Sequence, residues 1–238
     1  MKITLFITVL FISALSAYSQ QKINSKEKKP SGSFQKEKIV FSDNFIGNLD
    51  NWIAEFEKPG TSRMEITDGK LNVSASAGAT VWFKNKLSGN VMIVYYATVV
   101  DAGGENDRIS DLNAFWMATN PSDKNLFTLD GKFSSYDKLN LYYAGVGGHD
   151  NEITRFRKYE GNKDKAILKE YTDKEHLLVG NQQYSIKIIV NNGLVQYFLN
   201  DKLYWEYQDK SPYKEGYFGF RTFKSHQMFG SFKVLKIE

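Results

Sequence analysis

The chain of 238 residues contains no cysteine, only four prolines and no apolar run long enough to cross a bilayer. Without cysteine it has no disulfide, no thiolate metal site and no cysteine nucleophile. The apolar run at residues 3–15 is shorter than the roughly 20 residues that a membrane-spanning helix requires. A chain without disulfides must be stabilised by its core, which favours one sizeable domain.

The first 38 residues predict targeting and linker segments. Residues 1–19 combine a short positive start, the apolar run and the small-x-small sequence Ala17-Tyr18-Ser19, so they predict a cleaved signal peptide. Residues 20–38 are rich in lysine and serine and predict a disordered basic linker. We therefore expect an exported protein, periplasmic or extracellular, that has no membrane span and is a monomer.

The net charge is also small once the first 38 residues are set aside. Seven of the 31 basic residues and two of the 27 acidic residues precede Ile39, which leaves residues 39–238 nearly neutral. The basic character of the whole chain thus belongs to the linker. A neutral exported domain gives no support to a nucleic-acid partner.

Short strand-like segments dominate the rest of the chain, in which 14 tyrosines and 17 phenylalanines favour strands over helices. Asp68-Gly69 and Asn192-Gly193 each separate two alternating segments, which predicts tight hairpins. Only residues 173–178 look helical. Residues 39–238 therefore predict a single all-β domain, an antiparallel β-sandwich or a barrel.

Several segments carry a family resemblance. The sequences FSDNF at 41–45, GKLNV at 69–73 and GYFGFR at 216–221 resemble the concanavalin-like or laminarinase-type jelly roll over roughly residues 39–238. Segments 106–116, 142–148 and 154–159 resemble a secreted family from Bacteroidetes polysaccharide-utilisation clusters that is distantly similar to the YesU group, associated with pectin degradation. The resemblance implies two curved antiparallel sheets with a sugar-binding groove on the concave face.

The segment around Arg155 is the strongest candidate for a site. Alternate residues of a strand share a face, so Arg155, Arg157 and Tyr159 are expected to point the same way. A guanidinium binds a carboxylate or a sulfate through a fork of hydrogen bonds, so this row predicts an anion or sugar site. A solvated row of charges on an edge strand is the alternative.

Planar polar side chains beside aromatic rings suit sugars, whose hydroxyls need hydrogen bonds and whose C–H faces need apolar contacts. The predicted substrate-binding residues are Arg108, Asp111, Asn113, Trp116, Tyr143, Asn151, Arg155 and Arg221. A purely structural Arg108–Asp111 ion pair is the alternative for that segment. Among Trp52, Trp82, Trp116 and Trp205 we expect two or more to be ordinary core residues.

Two catalytic schemes are compatible with a polysaccharide substrate. A retaining hydrolase needs two carboxylates about 5–5.5 Å apart, and the Glu-x-Asp-x-x-Glu motif of laminarinase-type enzymes is absent. A lyase that cleaves an acidic, uronate-containing glycan by β-elimination needs the uronate charge neutralised and a tyrosine or histidine to move the proton. For this scheme we predict Tyr159, His149 and Arg157 as catalytic residues, with the arginines lowering the tyrosine pKa.

Other functions stay open at this point. The alternatives are a non-catalytic carbohydrate-binding module and a glycoside hydrolase with an atypical carboxylate arrangement. Three scattered histidines form no metal motif, so we expect no metal in catalysis and no cofactor. Analogy with other jelly rolls allows a structural calcium ion at Asp43.

Overall fold

The computed structural model describes residues 36–161 and 165–238. The predicted signal peptide and nearly all of the predicted linker lie outside the described residues. The strands are β1 (Glu37–Asp43), β2 (Trp52–Phe56), β3 (Arg63–Thr67), β4 (Lys70–Phe83), β5 (Leu87–Ser88), β6 (Val91–Val99), β7 (Leu112–Thr119), β8 (Asn140–Gly147), β9 (Ile153–Glu160), β10 (Ala166–Tyr171), β11 (Gln183–Asn191), β12 (Leu194–Leu199), β13 (Lys202–Gln208) and β14 (Glu215–Ile237). The helical turns are Pro59–Thr61, Phe133–Tyr136, Lys174–His176 and α1 (Gly148–Asn151).

These strands form two antiparallel layers, which confirms the prediction of a β-sandwich of jelly-roll type. The front sheet has the order β10-β9-β8-β7-β14-β4-β2. The back sheet has the order β3-β4-β14-β6-β11-β12-β13, and β1 pairs with the end of β14. Strands β4 and β14 therefore belong to both layers.

The long strand β14 connects the layers without a break in the chain. Its residues 217–221 pair with β7 in the front sheet, and its residues 227–236 pair with β6 in the back sheet. The strand passes from the front sheet to the back sheet at a register shift between Phe223 and Ser225, where Lys224 adopts a positive φ of 44°. A bulge of this kind bends a strand, so one strand can serve two sheets.

Aromatic side chains fill the space between the layers. Trp116 of β7 stacks on Phe156 of β9, with ring centroids 5.7 Å apart and planes at 7°. Phe156 in turn lies 5.3 Å from Trp205 of β13, which belongs to the opposite layer. All four tryptophans are buried, which confirms that at least two are ordinary core residues.

The connection between β7 and β8, residues 120–139, covers part of the outer face of the front sheet; we call it the covering segment. Its Leu126, Tyr136 and Leu139 are buried in a second apolar cluster with Trp82 and other residues of that face. The segment thus adds a third layer over one side of the front sheet. Such a layer leaves only the uncovered part of the face for a ligand.

One buried carboxylate, that of Glu55, joins the covering segment to the sheet. It accepts hydrogen bonds from Trp82 Nε1 (2.7 Å), Tyr136 Oη (2.8 Å) and the backbone N–H of Leu129 (2.7 Å). Burial raises the pKa of Glu55, and these hydrogen bonds oppose the rise. Among the described residues, no helix is long and apolar enough to cross a membrane.

Candidate functional site

Four residues form a line across the front sheet, which we call the polar row. Arg221 of β14 pairs with Asn113 of β7, Asn113 pairs with Gly145 of β8, and Gly145 pairs with Arg155 of β9. Residues directly opposite each other on neighbouring antiparallel strands project from the same face. Two guanidinium groups therefore stand on either side of an asparagine and a glycine.

A parallel line, the aromatic row, lies two residues along each strand. Gly219 pairs with Phe115, Phe115 pairs with Tyr143, and Tyr143 pairs with Arg157. The rings of Phe115 and Tyr143 are 5.7 Å apart, and Phe133 of the covering segment lies 5.7 Å from the Tyr143 ring. Tyr143 and Phe133 supply the apolar side of the site, whereas Phe115 is fully buried in the second apolar cluster.

Gly145 gives Tyr143 its orientation. A Cβ atom placed on Gly145 would lie 2.1 Å from the Tyr143 hydroxyl oxygen and 2.6 Å from Cζ of the same ring. The tyrosine therefore leans across the glycine, and its hydroxyl reaches the polar row. Burial raises the pKa of Tyr143, with contributions from Tyr159 and Asp111, which keeps this hydroxyl protonated at neutral pH.

A pocket of about 570 Å³ opens over these two rows. Predicted site residues that line it are Arg108, Asp111, Asn113, Tyr143, His149, Arg155, Arg157 and Arg221. Residues that sequence reasoning missed are Phe133, Gly145, Gly148, Asp150, Ile153, Lys165 and Phe223. Most of these are small, apolar or in loops, and no spacing in the sequence marks them; only Gly145 and Gly148, in the sequence YYAGVGG at 142–148, carried a local signal.

Arg221 is the most deeply buried charge of the pocket, at 1% exposure. Its Nη1 donates to Thr80 Oγ1 (3.2 Å) and to the carbonyl of Gly131 (2.5 Å), while Nη2 has no hydrogen-bond partner within residues 36–161 and 165–238. Among the described residues no carboxylate lies within 4.0 Å of this guanidinium. Burial lowers the pKa of Arg221, but an arginine stays protonated. A buried cation without an ion-pair partner suits an anionic ligand.

Asn113, the neighbour of Arg221 in the polar row, also has an open hydrogen-bonding position. The residue is 4% exposed, and its Oδ1 has no partner. Its Nδ2 donates to Asp111 Oδ1 at 3.3 Å. Buried polar atoms are normally paired, so an open acceptor beside an open donor indicates a place for a polar ligand.

Arg108 holds the loop before β7 against the pocket. Its Nη1 donates to the carbonyl of Phe223 (2.8 Å) and to Asp111 Oδ2 (3.3 Å), and its Nε donates to Asp150 Oδ1 (2.6 Å). The structural Arg108–Asp111 ion pair, kept as an alternative above, is therefore present. Because Arg108 is paired twice with carboxylates, its charge is largely compensated within the protein.

The turn α1 places His149 and Asp150 at the rim of the pocket. Both residues have left-handed backbone angles, with φ of 54° and 60°, and Asn151 follows with 66°. Such angles are costly for residues other than glycine, so other contacts must hold them. Asn151 does this, because its amide group bonds both the N–H (2.8 Å) and the carbonyl (2.9 Å) of Leu178.

Three predicted site residues do not line the pocket. Trp116 packs between the layers, and Asn151 supports the turn from behind. Tyr159 is fully buried beneath the covering segment, and its hydroxyl has no hydrogen-bond partner. Burial raises the pKa of Tyr159, and Arg157 opposes the rise without overcoming it. The expected lowering of this pKa is therefore wrong, and the geometry places Tyr143, not Tyr159, at the centre of the site.

Arg155 contacts two other side chains at the rim of the pocket. Its Nη1 lies 3.4 Å from His149 Nε2, and its Nε pairs with Glu170.

In the part of the chain that the structure describes, no three acidic or histidine side chains cluster as a metal site requires. Asp43 accepts hydrogen bonds from the backbone N–H of Phe45 (2.8 Å) and from the Trp52 indole (2.9 Å). The calcium ion stays a prediction from fold analogy.

Residues 73–232 match the profile of a family described as "Domain of unknown function (DUF6250)". The chain belongs to this family. A search of curated proteins found no match to the DUF6250 chain.

Solved structures share its fold at low sequence identity. A Bacillus subtilis protein of unknown function with a galectin-like fold superposes with a TM-score of 0.70 at 15% identity, covering 85% of this chain and 97% of its own. The carbohydrate-binding module CBM66 of Bacillus subtilis superposes with a TM-score of 0.53 at 18% identity, covering 79% of this chain and 96% of its own. An endo-β-1,3-glucanase of Pyrococcus furiosus superposes with a TM-score of 0.58 at 10% identity, covering 85% of this chain and 95% of its own. These likenesses confirm the predicted fold, and at such identities they show the fold alone.

The close contact between Gly145 and Tyr143 gives a testable prediction for this DUF6250 chain. Gly145→Ala is expected to fold normally, because the clashing atoms belong to the outer end of a tyrosine side chain that can swing away. The displaced hydroxyl should then leave the polar row. A crystal structure of the variant would show the displacement. Gly230→Ala is the matched control, since a Cβ there meets nothing within 4 Å; an unmoved Tyr143 ring in Gly145→Ala would contradict the prediction.

Asp107 anchors the loop that carries Arg108. It accepts hydrogen bonds from the backbone N–H of Ala102 (2.9 Å) and of Gly104 (3.0 Å) and contacts His226 Nδ1 (2.9 Å). Burial alone would raise the pKa of Asp107, but these contacts outweigh it, so the pKa lies below its ordinary value. A carboxyl with a lowered pKa stabilises the fold above about pH 4 and loses this effect as the pH falls through the lowered value.

Asp107→Asn is therefore expected to lower the free energy of unfolding by about 1–3 kcal/mol at neutral pH, because hydrogen bonds to a charged acceptor are lost. The difference from the wild type should shrink below about pH 4, where the wild-type carboxylate also becomes protonated. Urea unfolding at neutral pH and below pH 4 measures the difference in the free energy of unfolding under each condition. Asp50→Asn, at an exposed position, is the control; a difference that grows on acidification would disprove the role of the carboxylate.

Proposed function

We propose that the protein binds an acidic carbohydrate in this pocket and cleaves it by β-elimination. The observation that carries the proposal is the polar row, in which Arg221 and Arg155 flank Asn113 while the Tyr143 hydroxyl reaches the middle. A uronate carboxylate or a sulfate matches the fork of a guanidinium. Among the described residues, Arg221 and Arg157 form no ion pair within 4.0 Å, so both can bind a ligand anion directly. Asp111, Glu55 and Glu57 act on Arg221 only from a longer distance.

The fold is compatible with a carbohydrate ligand. The structural neighbours include a carbohydrate-binding module and an endo-β-1,3-glucanase. A sugar also explains the pairing of a polar row with an aromatic row, because its hydroxyls and its C–H faces need different partners. The proposal includes export of the mature chain and a place in polysaccharide utilisation, both of which rest on the sequence.

In β-elimination a base removes the proton from the carbon next to the uronate carboxylate. The C–O bond at the following carbon then breaks, the leaving oxygen takes up a proton, and the new non-reducing end carries a C=C bond. Arg221 Nη2 would bind the carboxylate and stabilise the negative charge that develops on it. The Asn113 Oδ1 would accept a hydrogen bond from a sugar hydroxyl.

We assign the two proton transfers to Tyr143 and His149. The raised pKa of Tyr143 keeps its hydroxyl protonated and suits it to donate a proton to the leaving oxygen. An imidazole accepts a proton at neutral pH, and His149 stands at the pocket rim beside Arg155. This assignment replaces Tyr159 with Tyr143, because the Tyr159 hydroxyl is buried outside the pocket.

A non-catalytic binding module is the second candidate function. The likeness to CBM66 favours it. A retaining hydrolase finds less support, because Asp111 and Asp150, the two carboxylates that line the pocket, both pair with Arg108.

A panel of pectic, glycosaminoglycan, alginate and arabinogalactan substrates tests the proposal. Ultraviolet absorbance from unsaturated uronates together with new reducing ends would support β-elimination. New reducing ends without absorbance would indicate hydrolysis, and binding without cleavage would establish the module. Failure of every acidic glycan to bind would contradict the proposal as a whole.

Arg157→Ala is expected to lower turnover on the substrate found in this panel by about 10²–10³, by analogy with the removal of a donor that stabilises a developing negative charge. Its effect on the urea midpoint should be small, because Arg157 is partly exposed and forms no ion pair within 4.0 Å among the described residues. Arg63→Ala, at an exposed position on β3, is the matched control. Equal turnover in the two variants would show that Arg157 takes no part in the reaction.

A further inference from the structure

The pocket stops at β14 instead of crossing the whole front sheet. Its lining residues come from β7, β8, β9, β14 and the adjoining loops. None of them comes from β4 or β2, the next two strands of the same sheet. The polar row thus has one open end, at Arg155, and one closed end, at Arg221.

The covering segment closes this end with its backbone. The carbonyl of Gly131 accepts a hydrogen bond from Arg221 Nη1 at 2.5 Å. A Cβ on Gly78 of β4 would lie 2.2 Å from the same carbonyl oxygen, and a Cβ on Gly131 would lie 2.4 Å from the backbone nitrogen of Glu57. The segment therefore rests directly on β4 and the end of β2, and leaves no room for a sugar ring between them.

The contact of the covering segment with β4 and β2 belongs to the stable core of the fold. Glu55 binds two side chains and one backbone N–H across the junction, and Leu126 and Tyr136 of the segment are 2% and 0% exposed. Segments that open easily have few buried apolar contacts and exposed hydrogen bonds. Where it lies on the sheet, at Leu126, Gly131 and Tyr136, the covering segment is buried, so we expect this part to block the sheet in the free protein and with ligand alike.

We infer that the pocket takes the end of an acidic glycan chain and not an internal stretch. An internal stretch that follows the polar row must leave it in two directions, whereas here the covering segment closes the direction past Arg221 and the direction past Arg155 stays open. The terminal sugar lies against Arg221 and Asn113, and the rest of the chain extends toward β10. A volume of about 570 Å³ suits a short oligosaccharide, being in the range of sites for drug-sized ligands. The inference rests on the proposed function for the nature of the ligand.

Binding of defined oligosaccharides tests this chain-end recognition without requiring cleavage. The probes are two- to six-unit oligosaccharides of polygalacturonate, alginate and hyaluronan, prepared free, or carrying a bulky block at the reducing end, at the non-reducing end or at both. Isothermal titration calorimetry gives the Kd of each. For the glycan that binds, a block at one particular end is expected to weaken binding at least tenfold, and a block at the other end to have little effect.

Equal Kd values for free and doubly blocked oligosaccharides would overturn the inference while leaving the proposed function intact. Absence of binding by all three acidic series would overturn the proposed function, and the inference with it. Phe133→Ala, which trims the covering segment at the pocket, is expected to reduce the discrimination against the blocked end. Ile46→Ala, at an exposed position in the loop between β1 and β2 and away from the pocket, should keep it; the same discrimination in both variants would overturn the role of the covering segment.

Discussion

For the proposed β-elimination, replacing Tyr143 with phenylalanine is expected to lower turnover by about 10²–10⁴, the usual contribution of a general acid or base. The substitution removes the hydroxyl that reaches the polar row over Gly145 and keeps the ring that packs on Phe115 and Phe133. The loss should appear in kcat more than in KM, because the proton moves only in the transition state. Initial rates by ultraviolet absorbance, measured over a range of substrate concentrations, give both constants.

Tyr159→Phe separates this assignment from the one that the sequence predicted. The Tyr159 hydroxyl is buried without a hydrogen-bond partner, so its removal is expected to be neutral or slightly stabilising and to leave turnover unchanged. A large loss of turnover in Tyr159→Phe together with normal turnover in Tyr143→Phe would restore the original assignment. The two variants remove the same atom from tyrosines whose rings lie 6.1 Å apart.

The largest loss of stability is expected for Glu55→Ala. It leaves three buried donors, on Trp82, Tyr136 and Leu129, without their acceptor. Each buried donor without a partner costs about 1–3 kcal/mol, which gives a loss of about 3–9 kcal/mol if the covering segment stays in place. Urea unfolding monitored by tryptophan fluorescence measures it, and Trp82 reports on the junction itself.

The control for this variant is Glu65→Ala on β3. Its carboxylate is exposed and pairs only with the exposed Arg63, so the change should stay within about 0.5 kcal/mol. A loss below about 1 kcal/mol in Glu55→Ala would show that water replaces the carboxylate and that the covering segment is held by its apolar contacts alone.

Local patterns in the sequence predicted the two hairpins and many of the strands. Asp68-Gly69 joins β3 to β4, and both residues have positive φ, as the Asp-Gly pair suggests. Asn192-Gly193 joins β11 to β12 in the same manner. The continuity of β14 was not predictable, because residues 224–227 in its middle are polar and resemble a loop between two strands. The bend there depends on partners far away in the sequence.

Periodicity also predicted that Arg155 and Arg157 share a face, and both line the pocket. Tyr159 shares that face too, but the covering segment buries it, and nothing local to β9 announces a segment that lies 20 to 40 residues earlier. The place of Tyr143 depends on Gly145 and on the strand register, neither of which is visible in one strand alone. Sequence periodicity thus fixes which way a side chain points, whereas tertiary packing decides what it meets.

The position of β14 at the centre of both sheets has a consequence for the order of folding. It pairs with β1, β4, β5, β6 and β7, all of which precede it in the chain. Until β14 joins them, β6 and β7 each have an unpaired edge, the kind of surface through which chains aggregate. Contacts so distant in sequence form slowly, since the loops between them must close first. We therefore expect the hairpins at the edges of the sheets to form first and the central strand β14 to join them last.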